Sequence, residues 1–138
     1  MTPSIVAAAL AAGLAVSGAG ADAHHSLYGV YDTSQRVTLD GVVTQFHFVN
    51  PHPFLLVDVR DAAGRTQQWR LEMDNRRELV DVGMGDDTFT PGQRIVASGS
   101  PGRSTQINSL YVWRLDRSAD GFRYEQIGTN PRVTRGKK

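Results

Sequence analysis

The chain has 138 residues, with 15 Lys and Arg against 14 Asp and Glu, a net charge of +1 and no cysteine. That length fits one domain, and a charge so close to balance excludes both a disordered polyelectrolyte and a strongly basic nucleic-acid binder. Without cysteine there is no disulfide staple, thiolate metal site, thiol catalysis or lipoprotein attachment, so stability has to come from a packed core.

Residues 5–16 contain only Ile, Val, Ala, Leu and Gly. About a dozen apolar residues are too few to cross a bilayer, which takes about 20. With Ala-x-Ala following, the stretch reads as a secretory signal peptide, 1–23, although no Lys or Arg precedes it. Cleavage after Ala23 or after Ala21 satisfies the small-residue rule. The expected location is the periplasm or the exterior, with no membrane insertion once the signal is removed.

Residues 24–36 lack a consistent period and read as an arm laid over the domain, with Tyr28, Val30 and Tyr31 as its anchors. Val37 to Val49 is a long, bent strand. Gly41 is expected to reset its alternation, placing Val42, Thr44, Phe46 and Phe48 on one face and Val43, Gln45, His47 and Val49 on the other. Asn50-Pro51-His52-Pro53 breaks the ladder, because proline has no N–H to donate, and Phe54 to Arg60 resumes as a second strand.

After the turn Asp61-Ala62-Ala63-Gly64, Thr66 to Asp74 alternates Trp69, Leu71 and Met73 against Arg70, Glu72 and Asp74. Asn75 with Glu78 fits the N-cap and capping box of a helix of about two turns, ended by Gly83 or Gly85. Three more strands follow: Gln93 to Gly99, Ile107 to Leu115 and Phe122 to Ile127. In the second, Tyr111, Trp113 and Leu115 oppose Leu110, Val112 and Arg114. The expected organisation is a barrel domain over 37–128 and a flexible basic tail over 129–138, since Arg132 to Lys138 lacks a core pattern. This order predicts an all-β fold with one short helix, a small, partly open OB-like β-barrel. A β-sandwich is the competitor, disfavoured by the helix at the midpoint.

All four histidines, His24, His25, His47 and His52, lie in the arm and the first strand and corner. If the signal is cut after Ala23, His24 carries a free α-amine with an ordinary pKa of about 7.7–8.0, so amine and imidazole can chelate one metal. One further imidazole, from His25, His47 or His52, completes a three-nitrogen, T-shaped histidine brace, a geometry that favours Cu(II). His52 is the preferred partner because Pro51 and Pro53 restrict its backbone. His47 lies opposite Phe46 and Phe48 and reads equally well as an outward polar residue. Cleavage after Ala21 instead leaves Asp22-Ala23-His24, a square-planar nitrogen site for Cu(II) or Ni(II) that needs no folded domain. Zn is the alternative ion for a set of histidines. Asn50 is a candidate to orient a ligating ring through a hydrogen bond, or else an ordinary turn former.

Other constellations are weaker. Asp86-Asp87 does not have calcium-loop spacing, Ser26 beside His25 lacks a nucleophile elbow, and Glu72 reads as a single acid rather than half of an acid/base pair. Trp69, Tyr111 and Trp113 read as core rather than as base-stacking platforms.

His24-His25-Ser26 after a signal, Tyr31-Asp32, Val37-x-Leu39-x-Gly41-x-Val43, Asn50-Pro51-His52, Trp69 with Glu72, and Pro91-Gly92 together resemble a family of short exported bacterial proteins of unknown function. The family carries an HHS motif at the mature N-terminus and an NPH motif after the first strand. The resemblance implies a small periplasmic β-barrel without an established activity. His24, His25, Asn50 and His52 fall on its motifs, and His47 does not. The expected function is carriage or buffering of a divalent metal, Cu(II) first, rather than catalysis. The alternative is a metal-free periplasmic module that binds a ligand or another envelope protein.

Overall fold

The computed structural model describes residues 27–104 and 107–137. Seven strands form one sheet: β1 (Val37–His47), β2 (Phe54–Arg60), β3 (Thr66–Glu72), β4 (Arg94–Pro101), β5 (Ser109–Arg117), β6 (Phe122–Ile127) and β7 (Asn130–Thr134). β1 is flanked by β2 and β4 and β5 pairs with β4, all antiparallel. A parallel pairing of β3 with β5 then closes a five-stranded barrel. This is the OB-like architecture expected from the element order.

The closing seam is short: Arg70 faces Ser109, Leu71 faces Leu110 and Glu72 faces Tyr111. Beyond it, the far end of β5 carries β6, which carries β7. The barrel is filled by alternating apolar residues, among them Val43, Leu55, Val57, Leu71, Met73, Ile95, Leu110, Val112 and Leu115.

Two bulges explain where the real faces depart from strict alternation. In β1 the inward set runs unbroken through Leu39, Gly41 and Val43, and the register against β2 shifts between Val43 and Gln45. The reset therefore lies at Thr44 and not at Gly41. It places Phe46 and Phe48 against the core from the other phase. Gly41 has a different role: a Cβ there would lie 2.6 Å from the Asp58 carbonyl oxygen and 2.6 Å from Val57 Cγ1, so β2 can approach only a glycine. Against β5 the register of β4 shifts between Ser98 and Gly99, which leaves Trp113 of β5 as the extra residue, and Leu115 turns inward after Val112.

The helix Arg76–Asp81 sits between β3 and β4. Its N-cap is Asn75, whose side-chain oxygen accepts from the Glu78 N–H at 3.0 Å. Gly83, at φ 82, turns the chain away beyond it. Leu79 is its fully buried residue.

Two expectations change at the ends. The segment 129–138 is not a free tail: Asn130–Thr134 pairs antiparallel with β6, and Val133 packs on the core. Its arginines obscured this by facing outward, Arg132 to Glu125 at 3.1 Å and Arg135 to the Gly83 carbonyl at 2.8 Å. The arm does lie over the barrel, but among its described residues the buried anchor is Tyr31, 3% exposed against 61% for Tyr28. Residues 27–30 are helical. Tyr31 bridges to Gly102, Asp32 N–H donates to the Pro101 carbonyl, and the Val30 carbonyl accepts from Arg103 N–H. Among the described residues, no helix is long and apolar enough to cross a membrane.

Candidate functional site

Because side chains alternate along a strand, those next to the core residues of the seam must point out of the barrel. Leu71 and Met73 are core, so Glu72 and Asp74 emerge on the outside. Leu110 and Val112 are core, so Tyr111 and Trp113 do the same. The arm crosses over this outer face, and together they enclose a cavity of about 440 Å³. Leu27 and Tyr31 of the arm, His52 of the β1–β2 corner, Glu78 of the helix and Gln126 of β6 complete its walls.

The polar groups in it are tied to one another. Tyr31 donates its hydroxyl proton to Glu72 Oε2 at 2.7 Å. Asp74 accepts from its neighbour Asn75 N–H at 2.7 Å and from Gln126 Nε2 at 2.6 Å, and Tyr124 donates to Gln126 Oε1 at 2.9 Å. Trp113 donates from Nε1 to Ser100 Oγ at 2.7 Å, which fixes the indole. Its ring meets Tyr111 edge-on with centroids 5.3 Å apart, and Tyr111 in turn contacts Tyr31 at 5.8 Å. Burial pushes the Tyr111 phenol up, reinforced by the charges of Asp74, Glu72 and Glu78. Burial also raises Tyr31, followed by its hydrogen bond to Glu72.

His52 stands in this cavity, half-buried, after a cis Asn50–Pro51 peptide. Its Nδ1 lies 3.0 Å from the Met73 carbonyl oxygen. A carbonyl can only accept, so Nδ1 carries a proton, and in the neutral ring Nε2 presents the lone pair. The group that orients this ring is thus a backbone carbonyl of the chain leaving β3. Asn50, a candidate for that role or else a turn former, is exposed and does not line the cavity.

His47 is elsewhere. It stacks on Phe54, with centroids 4.6 Å apart and planes at 15°, its Nε2 is 2.7 Å from Gln45 Oε1, and it is not part of the cavity wall. Arg70 sits 3.5 Å from the centroid of the same Phe54 ring. His24 and His25 lie outside the described residues, as do Ser26 and the expected signal segment. Among the described residues, no three His, Asp or Glu side chains converge as a metal-binding group.

Sequence reasoning missed Tyr31, Glu72, Asp74 and Glu78 as one site, and assigned Tyr111 and Trp113 to the core. The available signal was the alternation in β3 and β5: each strand places its apolar set on one side and a polar or aromatic set on the other. Asp86 and Asp87 are exposed in a turn. Arg76 donates from Nε to the Phe48 carbonyl at 3.1 Å.

The sequence pattern of a family of unknown function, DUF6152, matches residues 11–111. The chain belongs to this family. For DUF6152 the match spans the arm, both corner prolines, the helix and the closing seam of the barrel. No curated protein matches the chain in sequence. Among solved structures, the chain is similar to the N-terminal domain of the PriB protein from Thermoanaerobacter tencongensis, described as dimeric. The two are 18% identical, the match covers 60% of this chain and 94% of that one, and the TM-score is 0.40.

Proposed function

We propose that this DUF6152 member is exported and carries or buffers a divalent metal, Cu(II) first and Zn as the alternative, at the mouth of the cavity. The ligands are the processed N-terminal His24, through amine and imidazole, and His52 through Nε2. The observation that carries this reading is the His52 ring, held by Nδ1 on the Met73 carbonyl in a cavity that Leu27 also lines. His24 is three residues before Leu27, a span of at most about 11 Å. A chain that starts there needs only a short return to reach His52. Holding a ligating histidine by its second nitrogen is the usual way a protein fixes the ring for a metal. His25 remains an alternative third imidazole, whereas His47, stacked on Phe54, is dropped from the set.

The test combines intact mass, which fixes the mature N-terminus, with copper titration followed by electron spin resonance of wild type and His52→Ala. The expected result is a chain starting at His24, a tetragonal three-nitrogen spectrum in wild type and loss of one nitrogen in His52→Ala. An unchanged nitrogen pattern in the variant overturns the folded site. A second reading, a metal-free module that binds a small ligand, is favoured by the cavity itself.

A further inference from the structure

Carboxylates dominate the cavity lining. Among the described residues it includes Glu72, Asp74 and Glu78 but no Lys or Arg, in a chain where basic residues slightly outnumber acidic ones. A concave, low-dielectric site lined by one sign of charge concentrates the opposite ion. Two of its walls are aromatic, Tyr111 and Trp113, and aromatic faces attract organic cations in addition to the carboxylates; the Arg36 guanidinium already lies over the Trp113 ring, 5.0 Å from its centroid. The volume of about 440 Å³ lies within the roughly 300–1,000 Å³ typical of small-molecule sites.

The placement of the carboxylates distinguishes a bare ion from an organic one. Both oxygens of Asp74 are engaged, by Asn75 N–H and Gln126 Nε2, and Glu72 Oε2 is engaged by Tyr31. A hard metal ion needs several oxygens convergent on it, and among the described residues no such group forms. An ammonium group needs only a spare lone pair, which a carboxylate oxygen keeps after one hydrogen bond.

We propose that the cavity binds a small organic cation, an alkyl- or arylammonium ion, with its ammonium toward Glu72, Asp74 and Glu78 and its apolar body against Tyr111 and Trp113. The site deepens the ligand-binding reading above and is independent of the metal. Export places no demand on it, and His24 takes no part.

The test uses the full chain in EDTA, with the Trp113 indole N–H followed by NMR. The chain has two tryptophans, so Trp69→Phe identifies the signal. Benzylamine hydrochloride is the probe and benzyl alcohol its uncharged match. Benzylamine is expected to shift the Trp113 signal saturably at millimolar concentration, and benzyl alcohol to bind at least about tenfold more weakly. Glu72→Gln, which keeps an acceptor for Tyr31, and Glu78→Gln are each expected to weaken benzylamine about tenfold, with little effect on benzyl alcohol. Equal binding of the two probes, indifference of benzylamine to both substitutions, or no saturation by benzylamine overturns the proposal. The metal reading is tested separately by His52→Ala with copper, so either proposal can fail alone.

Discussion

The hydroxyl of Tyr31 reaches Glu72 Oε2 at 2.7 Å across 41 residues of sequence. That contact fastens the arm to the third strand and fixes a carboxylate in the cavity at the same time. Tyr31→Phe removes the donor and leaves the ring. A hydrogen bond to a charged acceptor is worth about 1.5–3 kcal/mol, so the variant is expected to lose about that much stability by denaturant unfolding. Limited proteolysis should also show faster cleavage between residues 27 and 36, and an arm as protected as in wild type would show that the bond does not hold it.

Tyr31, Tyr111 and Tyr124 have phenols raised above the ordinary value, in each case by burial first. A folded pKa above the unfolded one means that this stability is complete below about pH 10, the unfolded value, and is lost as the pH climbs toward the folded values. Ultraviolet titration should therefore find these three phenols ionising together with alkaline unfolding, in one cooperative step. Independent, non-cooperative ionisation of Tyr124 near pH 10 would contradict its burial.

His52 bears its proton on Nδ1, because the Met73 carbonyl can only accept. Long-range nitrogen–proton NMR of the neutral ring should show the Nδ1–H tautomer in the metal-free protein. Finding the proton on Nε2 would remove the lone pair on which the copper reading depends.

Gly41→Ala puts a methyl group 2.6 Å from a backbone oxygen that belongs to the β2 ladder. The carbonyl cannot yield without disturbing the strand pair. The expected cost is about 1–3 kcal/mol, as for other overpacked interiors, measured as a fall in Tm. Neutral behaviour would mean that β1 and β2 separate more readily than their register indicates.

Ending the chain after Ile127 removes β7, with Val133 taken from the core and Arg132 from Glu125. About 1 kcal/mol corresponds to about 4–8 °C in Tm for a domain near this size, and a fall at least that large is expected. A chain ending after Thr134 should melt close to wild type.

Local chemistry made much of this fold legible. The Asp61-Ala62-Ala63-Gly64 turn, the prolines of the corner and the Asn75 cap each announced an element, and the cap bonds Glu78 as the spacing implied. β7 was obscured because its outward residues, Asn130, Arg132 and Thr134, are polar and its inward face holds just Pro131 and Val133. The bulges at Thr44 and Trp113 shift a face by one residue, which no two-residue period reveals. His52 could be singled out from its flanking prolines. Its neighbours could not, because Glu72 and Tyr111 become adjacent only through a parallel pairing of distant strands.

That pairing has one further consequence. Glu72 and Tyr111 are opposite members of the last rung where the barrel closes, so the carboxylate wall and the aromatic wall of the cavity are the two lips of one joint. A guest that touches both lips acts as a clasp. Its presence should register most strongly as slowed amide exchange at Leu71, Leu110 and Tyr111, where the wall of the barrel comes apart.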